Sequence, residues 1–425
     1  MNGFDRIEDR GVTAMLNRRK FLTTAGSVVA MGSLLERPRI LKAAPRTTTE
    51  LGKVKIRDVK TASVRIKYDA HLVKVTTDSG LYGLGEAYNR AGVVDHIHSI
   101  KRQIIGQDPL QVDYLWHRMM DAGVGQGSRS GSLTGAISGI ETALLDLAGK
   151  ILNVPVYVLL GGKFRDKVLI YHDTGSPNTI DPRPWVEEAQ RSKAYGFKAM
   201  KFDLNRFRGE RWNRTLSSQD MKAWVKILEA IRAELGSDFP LGVDFHWAFN
   251  TREAMRFVQM VEHLNLWFLE DPMPPENADA FARLTAASKV PIATGENLFT
   301  RQTFRPFIEK QACDIIQPDT QKCGGLLETK RIADWADLYY INMLCHNMCT
   351  PVGTIASAHA CSAIRSFVAL ESDSVELPHW QDIIERDGPI YKDGYLEIPN
   401  KPGLGIELNE EVCRKHLSSG SGFFD

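Results

Sequence analysis

The chain is poor in cysteine. It has six among 425 residues, all after residue 312: Cys313, Cys323, Cys345, Cys349, Cys361 and Cys413. No two have CxxC spacing, so the sequence encodes neither a disulfide scaffold nor a paired-thiol motif. Cys345-His346-x-x-Cys349 lacks the second pair that a zinc cluster needs, and buried thiols in an apolar region are the simpler account. Charge of one sign is also missing. Lys+Arg number 53 and Asp+Glu 52, which leaves no basic excess to hold a phosphate backbone and argues against a nucleic-acid partner. No run reaches the length of a membrane-spanning helix. Hydrophobic residues at 43% and charged residues at 25% exclude disorder, collagen and coiled coil as the dominant state. One large folded domain or two remain.

The first 44 residues stand apart, with eight Lys/Arg against four Asp/Glu, where the rest of the chain has 45 against 48. Asn17-Arg18-Arg19-Lys20-Phe21-Leu22 precedes an uncharged run, Thr23–Leu35, and small residues at Ala43-Ala44. This resembles a twin-arginine export signal and predicts a periplasmic protein without a stable membrane anchor. A basic amphipathic extension is the alternative, and would leave the protein in the cytoplasm.

From residue 167 onward, short apolar runs alternate with helical patterns. The runs are Val168–His172, Lys198–Asp203, Leu241–Phe245, Leu266–Glu270, Pro291–Gly295, Asp314–Pro318, Ile341–Cys345 and Phe367–Leu370. Eight strands alternating with helices predict a closed parallel (β/α)₈ barrel. Polar residues end or follow six of them: Asp244, Glu270, Glu296, Asp319, His346 and Glu371, with separations of 26, 26, 23, 27 and 25. One strand-helix unit of a barrel takes about that length, and polar residues at the strand C-termini lie on the face where barrels keep their chemistry. Residues 53–166 read differently: strands over Val54–Tyr68, Ala70–Ser79 and Leu81–Tyr88, then helices, an α+β arrangement.

The motifs resemble the enolase superfamily and, within it, the mandelate racemase / muconate lactonizing enzyme family, over Val54 to Leu408. Gly106-Gln-Asp-Pro109, Gly139-Ile-Glu-Thr-Ala-Leu-Leu-Asp146 and Leu159-Leu-Gly-Gly162 look like its N-terminal capping domain. Asp244-Phe-His246, Glu270-Asp-Pro272, Thr294-Gly-Glu-Asn297 and Gln317-Pro-Asp319 look like its barrel signatures. The resemblance implies a capping domain at 53–166, a barrel at 167–371, and a segment 372–425 packing back on the cap. It also implies one Mg²⁺ held by Asp244, Glu270 and Glu296, and the donor types agree: three hard oxygen ligands suit Mg²⁺. It further implies an Asp319–His346 dyad that removes a proton α to a carboxylate, with Glu371 bonding the substrate carboxylate. The Asp would orient the imidazole and raise its pKa.

Two details narrow the expected chemistry. His246 lies two residues after Asp244, and strand alternation would put both on the inner face. In sugar-acid dehydratases of the family a His at this place protonates the departing hydroxyl. Racemases of the family commonly carry Lys-x-Lys on the second strand, whereas the run here is Lys201-Phe202-Asp203. Asp203 thus replaces the second base. Lys201 would hold the substrate carboxylate or the metal ligands, or pair with Asp203 or Asp244. Tyr68, Tyr88, Asn89 and Trp247 are candidates to read a polyol chain. The basic insertion Asn205–Gln219 would be a lid, an oligomer contact or a solvated loop.

The function expected is an aldonate-type dehydratase acting on a small carboxylate, as a homo-oligomer. A racemase, epimerase or cycloisomerase using the same enediolate is the enzyme alternative, and a non-catalytic sugar-acid-binding protein is the alternative of another class. A glycosidase is disfavoured, since strand seven offers His346 where a carboxylate pair is needed.

Overall fold

The computed structural model describes residues 53–124, 129–204 and 215–425. The leader and most of the basic insertion lie outside these residues. No helix among the described residues is long and apolar enough to cross a membrane.

Three antiparallel strands open the fold: β1 (Ile56–Arg65), β2 (Asp69–Thr77) and β3 (Tyr82–Ala87). The first pair buries residues of both faces, with Val59 opposite Val75 on one and Ala62 opposite Leu72 on the other. Helix Gly131–Leu152 lies on β3 and is almost wholly buried. Its backbone comes so close that a Cβ on Gly85 would sit 2.3 Å from the Gly139 carbonyl oxygen, and one on Gly83 2.0 Å from that of Ala143. Only glycine permits this approach.

Eight parallel strands follow: β4 (Lys167–Asp173), β5 (Met200–Asp203), β6 (Leu241–Asp244), β7 (Phe268–Glu270), β8 (Ile292–Thr294), β9 (Ile315–Ile316), β10 (Asn342–Cys345) and β11 (Phe367–Ser372). Each pairs with the next, and β11 pairs with β4, so the sheet closes into the expected (β/α)₈ barrel. Local sequence starts the intervening helices. Asp181 caps a helix with Pro182 at its first position, Ser217 and Asp220 form a capping box, and Asn250, Asn277 and Thr350 cap three more. Tyr171, Ala199, Phe268, Ala293, Ile315, Leu344 and Ala369 form a separate buried cluster inside the barrel. Each lies two residues before a polar or glycine position in or just after its strand, so the same pleat that plugs the barrel points the next residue on that face toward its mouth.

The tail serves both domains. Tyr395–Glu397 forms β12, antiparallel to β4 of the barrel and not part of the cap. Residues further on return to β1, where Ser418 N–H donates to Ser63 O and Phe424 N–H to Thr61 O.

Two side chains from the cap enter the N-termini of consecutive barrel helices. The Glu86 carboxyl, on β3, accepts from Thr350 N, the Thr350 hydroxyl and Gly353 N at the start of helix Pro351–Ser362. The Glu141 carboxyl accepts from Leu326 N and Leu327 N at the start of helix Leu326–Asp337. Helix N-termini carry N–H groups with no partner inside the helix, and buried acceptors satisfy them.

Candidate active site

The barrel register brings the expected residues to one end. Asp203, Asp244 and Glu270 are direct neighbours across β5, β6 and β7. Asp319 and His346 bridge the ends of β9 and β10, and Glu371 lies on β11. Asp244, Glu270 and Glu371 are fully buried, and Asp203, Asp319 and His346 nearly so. Burial raises Asp244 and Glu270 well above the usual carboxylate range, Lys201 opposes this, and neighbouring carboxylates reinforce it.

Lys201 supplies the cation that this cluster needs. Its Nζ lies 2.6 Å from Glu371 Oε1, 3.3 Å from Glu270 Oε1 and 3.6 Å from Asp244 Oδ2. Burial works against its charge, but Glu270 and Glu371 outweigh it and push its pKa well up. A lysine held this way is favoured in its charged form.

His346 is fixed at both ring nitrogens. Nδ1 is 2.7 Å from Asp319 Oδ2 and Nε2 is 2.8 Å from Glu296 Oε2. Burial would lower its pKa, yet Glu371, Glu296 and Asp319 raise it well above the ordinary value. Glu296 responds in the opposite direction: burial would raise it, but His346 and Lys322 hold it well below the usual range.

His246 reaches the site by another route than strand alternation. β6 ends at Asp244, and His246 and Trp247 take left-handed backbone angles, φ 40° and 60°. Such angles cost energy in residues with side chains and cluster at functional sites. The turn brings His246 Nε2 to 3.3 Å from Asp244 Oδ2, while the His246 N–H donates to Asp244 Oδ1 at 2.7 Å. His246 keeps 34% of its side chain exposed against 3% for His346, so the two histidines differ in access.

The remaining candidates are placed unevenly. The Trp247 indole N–H is spent on Asp271 Oδ2 at 2.9 Å, leaving its ring face. Asn89 Oδ1 accepts from Arg90. Tyr88 is buried, with its hydroxyl 3.4 Å from Lys322 Nζ. Tyr68 points to Asp373 at 3.4 Å, tying a cap loop to the end of β11. Asp203 sits beside Asp173, whose carboxyl is raised by burial and by Asp203 itself.

The residues fit a hard divalent cation. Asp244 Oδ2 is buried and accepts no hydrogen bond among the described residues, and Asp244 and Glu270 are side by side on adjacent strands with Glu296 after the next. An all-oxygen donor set of this kind suits Mg²⁺. The tightest group of ligand atoms among the described residues, however, is Asp203, Asp244 and His246, all within 4.8 Å of one another. Sequence reasoning gave no role to Lys322, Asn297, Gln317 or Asp173. Gln317 Nε2 donates to Glu270 Oε2 at 2.7 Å, and Asn297 Nδ2 to Glu296 Oε1 at 2.5 Å. Their only local signal is position, at or just after a strand end.

Comparison with known proteins agrees with this architecture. Residues 49–161 match the mandelate racemase / muconate lactonizing enzyme N-terminal domain, and 185–412 the enolase C-terminal domain-like model. A D-xylonate dehydratase of Haloferax volcanii is 41% identical over 374 residues, covering 87% of this chain and 90% of that protein. A D-galactonate dehydratase of Cronobacter sakazakii is 32% identical, covering 80% and 88%. The crystal structure of a mandelate racemase/muconate lactonizing enzyme-like protein from Rubrobacter xylanophilus superposes with a TM-score of 0.84 at 37% identity, covering 87% and 99%. The chain therefore belongs to the mandelate racemase / muconate lactonizing enzyme family of the enolase superfamily.

Proposed function

We propose that the chain is a Mg²⁺-dependent sugar-acid dehydratase that converts an aldonate-type acid to a 2-keto-3-deoxy acid. The observation that carries this reading is the pair of unlike histidines around one carboxylate cluster: His346 locked to Asp319, and His246 more open beside Asp244. The dehydratase relatives support the same class. Asp244, Glu270 and Glu296 would hold Mg²⁺. When bound, the ion supplies Lewis-acid stabilisation of charge developing on the substrate carboxylate.

The chain's own groups then divide the work. Once Glu296 turns from its Nε2 to hold the cation, His346 takes the α-proton there, and the C–H electron pair enters the enediolate. Asp319 holds the imidazole tautomer and stabilises its charged form. The enediolate collapses and expels the β-hydroxyl, which leaves as water after accepting a proton from His246. The resulting enol becomes the keto acid. Lys201, protonated and tied to Glu371, orients the carboxylate end. Asp203 stands where a second base would be needed for racemisation, which favours elimination over inversion.

The test separates the two histidines. His346→Asn should abolish exchange of the α-hydrogen in deuterated water, together with turnover. His246→Asn should leave exchange in place and reduce keto-acid formation by about 10²- to 10⁴-fold, the usual worth of a general acid. Exchange surviving in His346→Asn would remove its role as base, and solvent deuterium recovered in inverted substrate would convert the reading to an epimerase.

A further inference from the structure

The barrel mouth holds two buried lysines in opposite circumstances. Lys201 is surrounded by three carboxylates. Lys322, only 3% exposed, forms no ion pair with any Asp or Glu among the described residues. Its hydrogen-bond partners among the described residues are neutral: Asn297 Oδ1 and, at 3.4 Å, the Tyr88 hydroxyl. Its ammonium also lies 4.6 Å from the centre of the Tyr88 ring, whose neighbour Arg90 is at 5.0 Å. Its nearest charge partner, Glu296, acts on it without direct contact, and a buried ammonium with no direct ion pair is costly unless its hydrogen-bonding capacity is used. An ammonium has three N–H donors, and the two neutral partners occupy two of them.

The position of the third is set by what surrounds it. Lys322 lies three residues after Asp319, in the turn that follows β9, where its N–H donates to Asp319 O. Asn297 links it to Glu296, and Glu296 to His346. Tyr88 is a cap residue wedged against the Lys322 turn, since a Cβ on Gly135 would meet Tyr88 Cβ at 3.1 Å and Gln321 O at 3.6 Å. Lys322 thus stands between the cap residue Tyr88 and the Asn297–Glu296–His346 chain.

We propose that Lys322 is a specificity-determining residue, donating its third N–H to a hydroxyl oxygen of the polyol chain beyond the two reacting carbons. The inference rests on the sugar-acid reading of the site. It makes Tyr88 and Lys322 a cap–barrel pair that measures chain length.

Lys322→Met, Lys322→Gln and Lys322→Arg should be compared with wild type on 2,3-dihydroxy acids of three to six carbons in Mg²⁺. Turnover would be followed by keto-acid formation and binding by calorimetry. With folding confirmed by circular dichroism, both neutral variants should raise KM for the five- and six-carbon acids about 10- to 100-fold, the worth of a hydrogen bond to a charged group. They should raise KM for the three-carbon acid far less, any fall in kcat being common to every acid, and Lys322→Arg should restore part of the loss in KM. If Lys322→Met does not fold, Lys322→Gln gives the same reading. An equal rise in KM on every acid, or none, overturns the role of Lys322 alone. A wild-type protein that neither binds nor converts any of the acids overturns the sugar-acid reading as well.

Discussion

His359 shows how one side chain couples acid chemistry to folding. It is buried in helix Pro351–Ser362, where its Nδ1 is 3.3 Å from Tyr157 N and its Nε2 3.2 Å from Leu404 O. Tyr157 N–H can only donate and Leu404 O can only accept, so the ring must be neutral with its proton on Nε2. Burial lowers its pKa from 6.5 to about 4. The group is depressed in the folded state, so its contribution is fully present above pH 6.5 and is lost as the pH falls through about 4. Stability should decline by on the order of 3 kcal/mol across that window. Denaturant titrations at pH 7 and pH 4.5 should show the gap between wild type and His359→Asn narrowing at the lower pH. At this scale the sequence was readable only where a motif repeats. Asp319 and His346 could be found because they end strands in register. Lys322 and Asn297 could not, because their meaning depends on Tyr88, a cap residue distant in the chain. His246 was found for the wrong geometric reason: a left-handed turn, not the strand pleat, carries it inward.

Between elements, the tightest contact is that of β3 with helix Gly131–Leu152. Gly85 has no room for a methyl group, and its opposing atom is backbone that cannot rotate away. Gly85→Ala should therefore cost about 1–3 kcal/mol through overpacking, read as a lower unfolding midpoint with Mg²⁺ absent. The strands of the barrel were legible because each strand-helix unit has a similar length, which fixes the spacing of Asp244, Glu270, Glu296, Asp319, His346 and Glu371 between 23 and 27 residues. β12 was not. Three residues carry too little pattern to choose between partners, and Tyr395–Glu397 finds its partner in β4, far back in the chain.

For the whole molecule, the site predicts linkage between cation and stability. Asp244 and Glu270 are buried and mutually repelling, so a cation that binds only the folded state must stabilise it. At Mg²⁺ about 100-fold above its dissociation constant the gain should be about 2.7 kcal/mol. Thermal unfolding with Mg²⁺ and with EDTA measures it, and Glu270→Gln should flatten the response.

The two cap carboxyls that enter barrel helices, Glu86 and Glu141, bear on how such a protein can be remade. The helices they enter follow the strands that carry Asp319 and His346. A barrel expressed alone would expose those N–H groups where the cap had been and leave the Asp319–His346 pair on loosened supports. Exchange of caps between relatives, the direct route to transplanting substrate preference, must therefore carry both glutamates with it. Cap and barrel are inherited as one part.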